Sequence, residues 1–212
     1  MTMSAKKRER RTYEARQNEI IKQARKQFIT LGYEATSVNS LIKHLGIAKG
    51  TFYHYFKSKE ELLDAVVDQV NGEIIEQVAQ VTTSNLSPLT KLLLAFKAMN
   101  VQDHDLLIDH LHKKENALLH QKTMNVLLQG VVPYFSQIIE EGNQTHRFAC
   151  RYPKESVYIL LTTSMYLLDE GMIEFTNEEK QGIYQALILY LSKMLEIDEH
   201  ELMVAMEQAE ER

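Results

Sequence analysis

Hydrophobic residues recur every three or four positions along most of the 212-residue chain, a spacing that places them on one face of an α-helix. Apolar positions with this spacing, including Ile20, Ala24 and Phe28, predict a first helix from about Tyr13 to Leu31. The glycine that follows is a common residue just past a helix end. No segment shows the alternating pattern of a strand, so the sequence predicts an all-α protein.

Two very short helices are predicted next. Thr36 or Ser37 can cap the first of them, "VNSLIKHL", and Gly46 stands where the chain must turn sharply. The second, "IAKGTFYHYF", has barely two turns and needs its neighbours to hold it. A long helix then begins at a capping box formed by Ser58 and Glu61 and runs to about residue 81.

The remaining pattern is helical as well. The sequence predicts a helix from Ser87 and Pro88 to about Val101, a short one over 104–112 and a long one over 114–141 with a bend at Pro133. After a loop at 143–152, it predicts a helix from Pro153 to near Gly171. Two more follow, one from a cap at Thr176 and Glu179 to about Ile197 and one over 198–209.

The charge distribution separates the two ends of the chain. The formal net charge is −5, yet residues 1–60 hold 13 Lys or Arg against 5 acids, and residues 61–212 hold 11 against 24. A basic front end on an acidic body is typical of a polyanion-binding module joined to a part with another task. The run "KKRERR" at 6–11 is either a solvated tail or an arm along phosphates.

The segment 48–56 has two faces when it is placed on a helix at 100° per residue. Ala48, Phe52, Tyr55 and Phe56 share one side, which predicts that the two phenylalanines anchor the helix to the core. The opposite side carries Lys49, Gly50, Tyr53 and His54. This small, basic and hydrogen-bonding face suits the major groove of DNA, whose width of about 12 Å admits one α-helix.

Phosphate contacts are predicted on either side of that helix. Lys57 and Lys59 flank the amino end of the long helix, where free N–H groups and the helix dipole already favour an anion. Ser37, at the start of the preceding short helix, is predicted to hold a phosphate across the groove. Two short helices joined by a tight turn at Gly46 form a helix-turn-helix, whose second helix enters the groove.

The stretch "FITLGYEATSVNSLIKHLGIAKGTFYHYFKSKEELL", residues 28–63, resembles the signature of the TetR family of bacterial transcription regulators. The resemblance covers about residues 13–65. It implies an N-terminal three-helix helix-turn-helix DNA-binding domain with its arm, residues 1–58, with a fourth helix from residue 58 linking the domains. It also implies a C-terminal helical bundle, residues 59–212, for dimerisation and effector binding.

The resemblance also implies roles for single residues. Carried over by position, Lys49 and Thr51 lie at or near bases, Tyr53 and Lys59 lie on phosphates, and His54 lies on either. The partner is then double-stranded DNA with a palindromic operator, and regulation is most simply repression.

Two helices of the C-terminal part carry more apolar surface than one core face needs. The helix at about 177–197 is apolar almost all round between Ala186 and Leu191, and the helix at about 153–170 has two adjacent apolar stripes. A helix without a polar face must be covered on both sides. These two helices are therefore predicted to form a twofold homodimer, which would set two recognition helices about 34 Å apart on DNA.

Methionine and aromatic residues of the same part are either plain core or the lining of an effector cavity. The candidate lining is Phe96, Met99, Met124, Leu128, Val131, Tyr134, Phe135, Tyr158, Met165 and Tyr166. The identity of a small-molecule effector is open. The alternative is a helix-turn-helix DNA-binding protein without such an effector, controlled by a protein partner.

A third hypothesis is a helical metal-dependent enzyme. Its candidate ligands are His104, Asp105, Asp109, His110, His112, Glu115 and His120. Familiar metal spacing and a nucleophile motif are missing, so neither a metal, a cofactor nor catalysis is predicted. Cys150 is the single cysteine and is predicted to pack in the core. No apolar run nears the roughly 18 residues of a membrane span and no secretion signal follows the basic start, so a cytoplasmic protein is expected.

Overall fold

The computed structural model describes residues 3–99, 110, 113, 116–169 and 173–211, with side chains from residue 13 onward. Within these residues the protein has nine helices and no strand, which confirms the all-α prediction. The helices are α1 Met3–Leu31, α2 Val38–Leu45, α3 Lys49–Tyr55, α4 Lys59–Thr82, α5 Pro88–Met99, α6 Ala117–Gln144, α7 Pro153–Leu167, α8 Asn177–Leu195 and α9 Glu199–Glu210.

The described residues form two compact units. The first contains residues up to Val70 together with His110, and the second contains residues 71–99 and the described residues from Lys113 onward. Helix α4 contributes its first half to one unit and its second half to the other. The domain boundary expected at residues 58 and 59 therefore stays a prediction.

Helix α1 begins about ten residues before the predicted start. The prediction placed its first residue near Tyr13, whereas the helix begins at Met3. The segment before Tyr13 is rich in lysine and arginine, which favour helices, and it has neither glycine nor proline. The apolar spacing used for the prediction starts only at Ile20, so it gave no signal for this extension.

The turn between α2 and α3 has the predicted geometry. Gly46 adopts a left-handed conformation, with φ of 61° and ψ of 31°. The N–H of Ile47 donates to the carbonyl of Ile42 at 3.2 Å, which closes the end of α2 in a pattern typical of a glycine-terminated helix. The first unit packs around fully buried side chains from all four helices: Ile20, Ala24, Phe28, Leu41, Phe52, Leu62 and Val66.

The start of α4 differs slightly from the predicted capping box. The hydroxyl of Ser58 accepts the N–H of Glu61 at 3.1 Å, as expected. The carboxylate of Glu61, however, accepts the N–H of Lys57 at 2.6 Å instead of that of Ser58. The carboxylate thus accepts from the residue just before Ser58 and still satisfies a backbone donor next to the helix start.

In the second unit, the predicted helix starts at Pro88, Pro153 and the Thr176 cap are confirmed. Thr176 and Glu179 form a reciprocal capping box, and the hydrogen bonds from Thr176 lower the pKa of the Glu179 carboxyl. Pro133 lies inside α6. The helix predicted at 104–112 lies outside the described residues except for His110, as do the predicted ends near Val101 and Gly171.

The core of the second unit is closely packed. The most buried large side chains include Leu92, Phe135, Ile138, Ile139 and Leu161. Cys150 is buried, and its backbone N–H and carbonyl are both bonded by the Asn143 side chain, at 3.0 and 2.8 Å. None of the described helices is both long and apolar enough to cross a membrane.

Candidate nucleic-acid interface

Helix α3 has one buried and one exposed face. Phe52 is fully buried and Phe56, which follows the helix, is 2% exposed. Lys49, Gly50, Tyr53 and His54 are all exposed, with Tyr53 at 46%. The buried phenylalanines fix the orientation of α3, and the opposite face of the helix is exposed to solvent. Thr51 lies between the faces and is half-buried.

One residue of this segment was assigned to the wrong side. Ala48 was predicted to share the buried face, but it is exposed. It precedes the first helical residue and has an extended backbone, with φ of −73° and ψ of 150°. The 100° periodicity does not apply to a residue outside the helix, which explains the error.

The exposed face offers hydrogen-bond donors around a flat centre. The Lys49 Nζ lies 6.0 Å from the centroid of the Tyr53 ring, so a cation and a phenol stand side by side. Gly50 adds no side chain between them, and a Cβ at this position would meet no atom within 4 Å. Such a surface permits close approach to the floor of a groove and can donate to base edges or phosphates.

Ser37 and α2 occupy the predicted place at the other side of the turn. The Ser37 hydroxyl is exposed and accepts the N–H of Ser40 at 3.0 Å, so it caps α2 in the free protein. The Ser40 hydroxyl donates to Gln27 Oε1 at 2.9 Å, which ties the start of α2 to α1. The hydroxyl of Ser37 is therefore held at a helix start, where it can also donate to an anion.

The two lysines near the start of α4 have different surroundings. Lys57 is exposed. The Lys59 Nζ instead lies 3.8 Å from the centroid of the Tyr33 ring, and burial lowers the pKa of this amine. Burial and the nearby Glu60 carboxylate raise the pKa of Tyr33. In the free protein Lys59 rests on an aromatic ring, and its contact with a phosphate remains a prediction.

Three aromatic contacts of the first unit were not expected from the sequence. The Tyr13 ring, on α1, lies 5.7 Å from the His54 ring and 4.6 Å from the Tyr55 ring. The buried His110 ring lies 4.0 Å from the Tyr33 ring. Tyr13 stands at the edge of a charge run and His110 within a candidate metal cluster, so neither position signalled an aromatic partner.

The candidate effector residues do not all lie together. Val131 and Phe135 are buried in the core, and the Phe135 ring lies 4.9 Å from that of Phe96. Tyr158 and Tyr166 are exposed on α7, at 37% and 49%. The others are half-buried: Phe96, Met99, Met124, Leu128, Tyr134 and Met165.

Two surface depressions of the second unit involve other residues. One, of about 410 Å³, runs along the exposed side of α6 near Leu118 and Val126. The other, of about 310 Å³, lies between the start of α5 and α9, next to the ion pair of Arg147 with Glu201. None of the predicted effector residues lines either depression.

The apolar faces of α7 and α8 are open to solvent in the single chain. Ile159 and Tyr190 are each 70% exposed, Tyr184 is 54% exposed and Leu189 is 43% exposed. Ala186 is exposed as well. Large apolar side chains grouped on two consecutive helices are typical of a surface that another protein covers.

The structure describes only two of the candidate metal ligands, His110 and His120. His104, Asp105, Asp109, His112 and Glu115 lie outside the described residues. Among those that are described, no group of three His, Cys, Asp or Glu side chains is arranged to hold a metal. His120, which is buried, instead pairs with Asp169 at 2.9 Å between Nε2 and Oδ2.

Comparison with known families gives two matches along this chain. The model of the bacterial regulatory proteins of the tetR family matches residues 20–66, which span the helix-turn-helix and the start of α4. The model of the tetracyclin repressor-like C-terminal domain matches residues 97–187. The chain belongs to the TetR family. The protein is therefore a helix-turn-helix DNA-binding transcription regulator. Contact of the exposed face of α3 with DNA stays a prediction.

Individual TetR relatives agree with this assignment. The chain is 28% identical over 159 residues to the fatty acid metabolism regulator protein of Bacillus subtilis, covering 72% of this chain and 79% of the relative. It is 32% identical over 84 residues to the transcriptional repressor KstR2 of Mycolicibacterium smegmatis, covering 40% of this chain and 41% of that one.

Solved TetR structures share the fold. A TetR-family regulator from Pectobacterium atrosepticum matches with a TM-score of 0.64 at 20% identity, over 88% of this chain and 97% of that one. RolR, in complex with the ligand resorcinol, matches with a TM-score of 0.58 at 16% identity, over 92% and 95%. At these identities the likeness concerns the fold alone.

Proposed function

We propose that this TetR-family protein is a cytoplasmic repressor that binds a palindromic operator as a homodimer and releases it when a small molecule binds the second unit. The observation that carries the proposal is the division of α3 between two faces. Phe52 is fully buried, while Lys49 and Tyr53 are exposed on the other side. A short helix that is anchored in this way can enter a major groove as a rigid reader.

On DNA, the exposed face of α3 reads bases while the surrounding groups hold phosphates. Lys49, Thr51 and His54 are assigned to base edges or to their immediate neighbourhood. Ser37 and Tyr53, with the lysines at 57 and 59, are assigned to phosphates on the two sides of the groove. The basic run 6–11 belongs to α1 and adds positive charge at the same end of the chain.

Dimerisation through α7 and α8 is supported by their exposed apolar surface. More than half of the surface of each of three residues is uncovered in the single chain: Ile159, Tyr184 and Tyr190. A twofold dimer buries the same patch of both chains at once and brings two recognition helices to one duplex. Because two identical helices related by a twofold axis then contact the same bases in each half-site, the operator should be palindromic.

Effector control is supported by relatives and by the helix that both units share. The match to RolR concerns a structure that holds resorcinol, and another relative regulates fatty acid metabolism. We therefore assign a small, mainly apolar effector to the second unit. Its binding would shift the population toward a dimer whose recognition helices, connected through α4, no longer fit successive grooves.

The packing of the second unit favours a second candidate function, a DNA-binding regulator without a small-molecule effector. Val131 and Phe135 are fully packed, and the depressions on the described surface are not lined by the candidate effector residues. Thermal unfolding with a panel of phenols and fatty acids separates the two candidates. A saturable rise in the midpoint with loss of DNA binding supports an effector, and no shift with any compound supports control by a protein partner.

The DNA-binding assignment is tested with an operator selected from random duplexes by the purified protein. Tyr53→Ala should weaken binding to that operator by about thirty-fold or more, because each dimer loses two hydrogen bonds to phosphates, worth roughly 1 kcal/mol or more each. Fluorescence anisotropy at moderate salt measures the change.

Tyr152→Ala serves as the matched control, since Tyr152 is 56% exposed but lies in the second unit, away from α3 in the chain. It should bind the operator as the unaltered protein does. Unchanged affinity of the Tyr53 variant would remove the outer face of α3 from the DNA contact.

A further inference from the structure

Helix α1 places an aromatic ring beside the end of the recognition helix α3. Tyr13 stands seven residues before the part of the chain that the TetR model matches. Its ring lies edge-on to His54, with centroids 5.7 Å apart and planes at 81°, and lies 4.6 Å from the Tyr55 ring. Tyr13 is itself 37% exposed, so the contact lies at the surface of the first unit rather than in its core.

His54 has a specific need for such a neighbour. It is exposed in the last turn of a helix that has only seven residues. The final turn is closed by the N–H of Phe56 donating to the carbonyl of Phe52 at 3.0 Å. Without a neighbouring side chain, an exposed imidazole in this last turn would sample several rotamers, and fixing one of them on binding would cost conformational entropy.

We propose that Tyr13 is a positioning residue for DNA recognition: it holds the His54 imidazole, through an edge-to-face ring contact, in the orientation that meets the DNA. The inference rests on the proposed function, because His54 matters only if α3 contacts DNA. Tyr13 need not touch the duplex. Its ring fixes the orientation of His54 in the free protein, so less conformational entropy is lost when the complex forms.

The ring of Tyr13, rather than its hydroxyl, carries this role. An edge-to-face pair is held by the quadrupoles of the two rings, which phenylalanine retains and alanine loses. Tyr13→Phe should therefore bind the selected operator within about two-fold of the unaltered protein. Tyr13→Ala should weaken binding of the dimer by about five- to one-hundred-fold, because each of the two chains would then have to fix the His54 rotamer on binding.

A double-mutant cycle distinguishes positioning of His54 from general support of the first unit. Operator affinity is measured by anisotropy for the unaltered protein, Tyr13→Ala, His54→Ala and the double variant. If Tyr13 acts through His54, removing Tyr13 has little further effect once His54 is alanine. Asn18→Ala, at another exposed position of α1, is the matched control and should leave the affinity unchanged.

The outcomes separate this inference from the function on which it rests. An equal loss from Tyr13→Ala with and without His54, or no loss at all, overturns the positioning role while leaving DNA binding intact. Loss of binding in the phenylalanine variant also overturns it, because the ring would then not be sufficient. An unaltered protein that selects no DNA sequence overturns the proposed function and the inference together. Circular dichroism melts of all variants detect any that fail to fold.

Discussion

Two helical glycines differ sharply in the space around them. At Gly142, in α6, an added Cβ would collide with the ring of the buried Phe148. At Gly72, in α4, it would meet no atom within 4 Å, and the position is exposed. The same substitution should therefore have opposite effects at the two sites, which makes each site the control for the other.

Gly72→Ala should raise the free energy of unfolding by about 0.5–1 kcal/mol, because alanine loses less backbone entropy than glycine in a helix. Gly142→Ala should lower it by about 1–3 kcal/mol, since the Phe148 ring has to leave its site. Urea unfolding followed by circular dichroism measures both. An increase in the free energy of unfolding for Gly142→Ala as well would contradict the described packing of Phe148 against α6.

At this scale, helical periodicity predicted which side chains of α3 face inward. Phe52 was separated correctly from Lys49, Tyr53 and His54, because neighbours within one helix are fixed by its geometry. Phe56 is buried as predicted, although it follows the helix. The environment of Lys59 was not predictable in the same way. Its ammonium rests on Tyr33, 26 positions earlier in the chain, and such a contact depends on how separate elements pack.

Among the elements, helix starts with a side-chain cap were predicted most accurately. Thr176 with Glu179, and Ser58 with Glu61, satisfy free N–H groups through short-range contacts that the sequence displays directly. The start of α1 at Met3 was missed because polar helical segments carry no apolar periodicity. The contact of Tyr13 with α3 was also missed, because it depends on how two separate helices pack.

The apolar face shared by α7 and α8 gives the prediction at the scale of elements. Ile159→Glu should convert the dimer to monomer, because a carboxylate at a position that is 70% exposed in one chain would be buried without a partner in the dimer. Size-exclusion chromatography with light scattering measures the mass.

Leu118→Glu provides the matched control, since Leu118 is 80% exposed on α6 and is assigned to no interface. It should keep the mass of two chains. A dimer that survives Ile159→Glu would place the interface elsewhere.

For the whole molecule, the charge asymmetry of the sequence matches its division of labour. The basic surplus lies within residues 1–60, and the first unit contains the helix-turn-helix that the TetR model matches. The acidic remainder reduces non-specific attraction of the second unit to DNA. The sequence indicated an effector cavity less clearly than it indicated the DNA-binding unit, because methionine and aromatic residues line pockets and also fill cores.

The most direct test of the central claim changes the spacing between the two halves of the selected operator. If two copies of α3 read successive major grooves on one side of the duplex, inserting about five base pairs, half a turn, at the centre should reduce affinity to that of a single half-site. Anisotropy titrations of the original and the lengthened duplex measure this at one salt concentration. Equal affinity for both duplexes would contradict binding by a dimer with two fixed recognition helices.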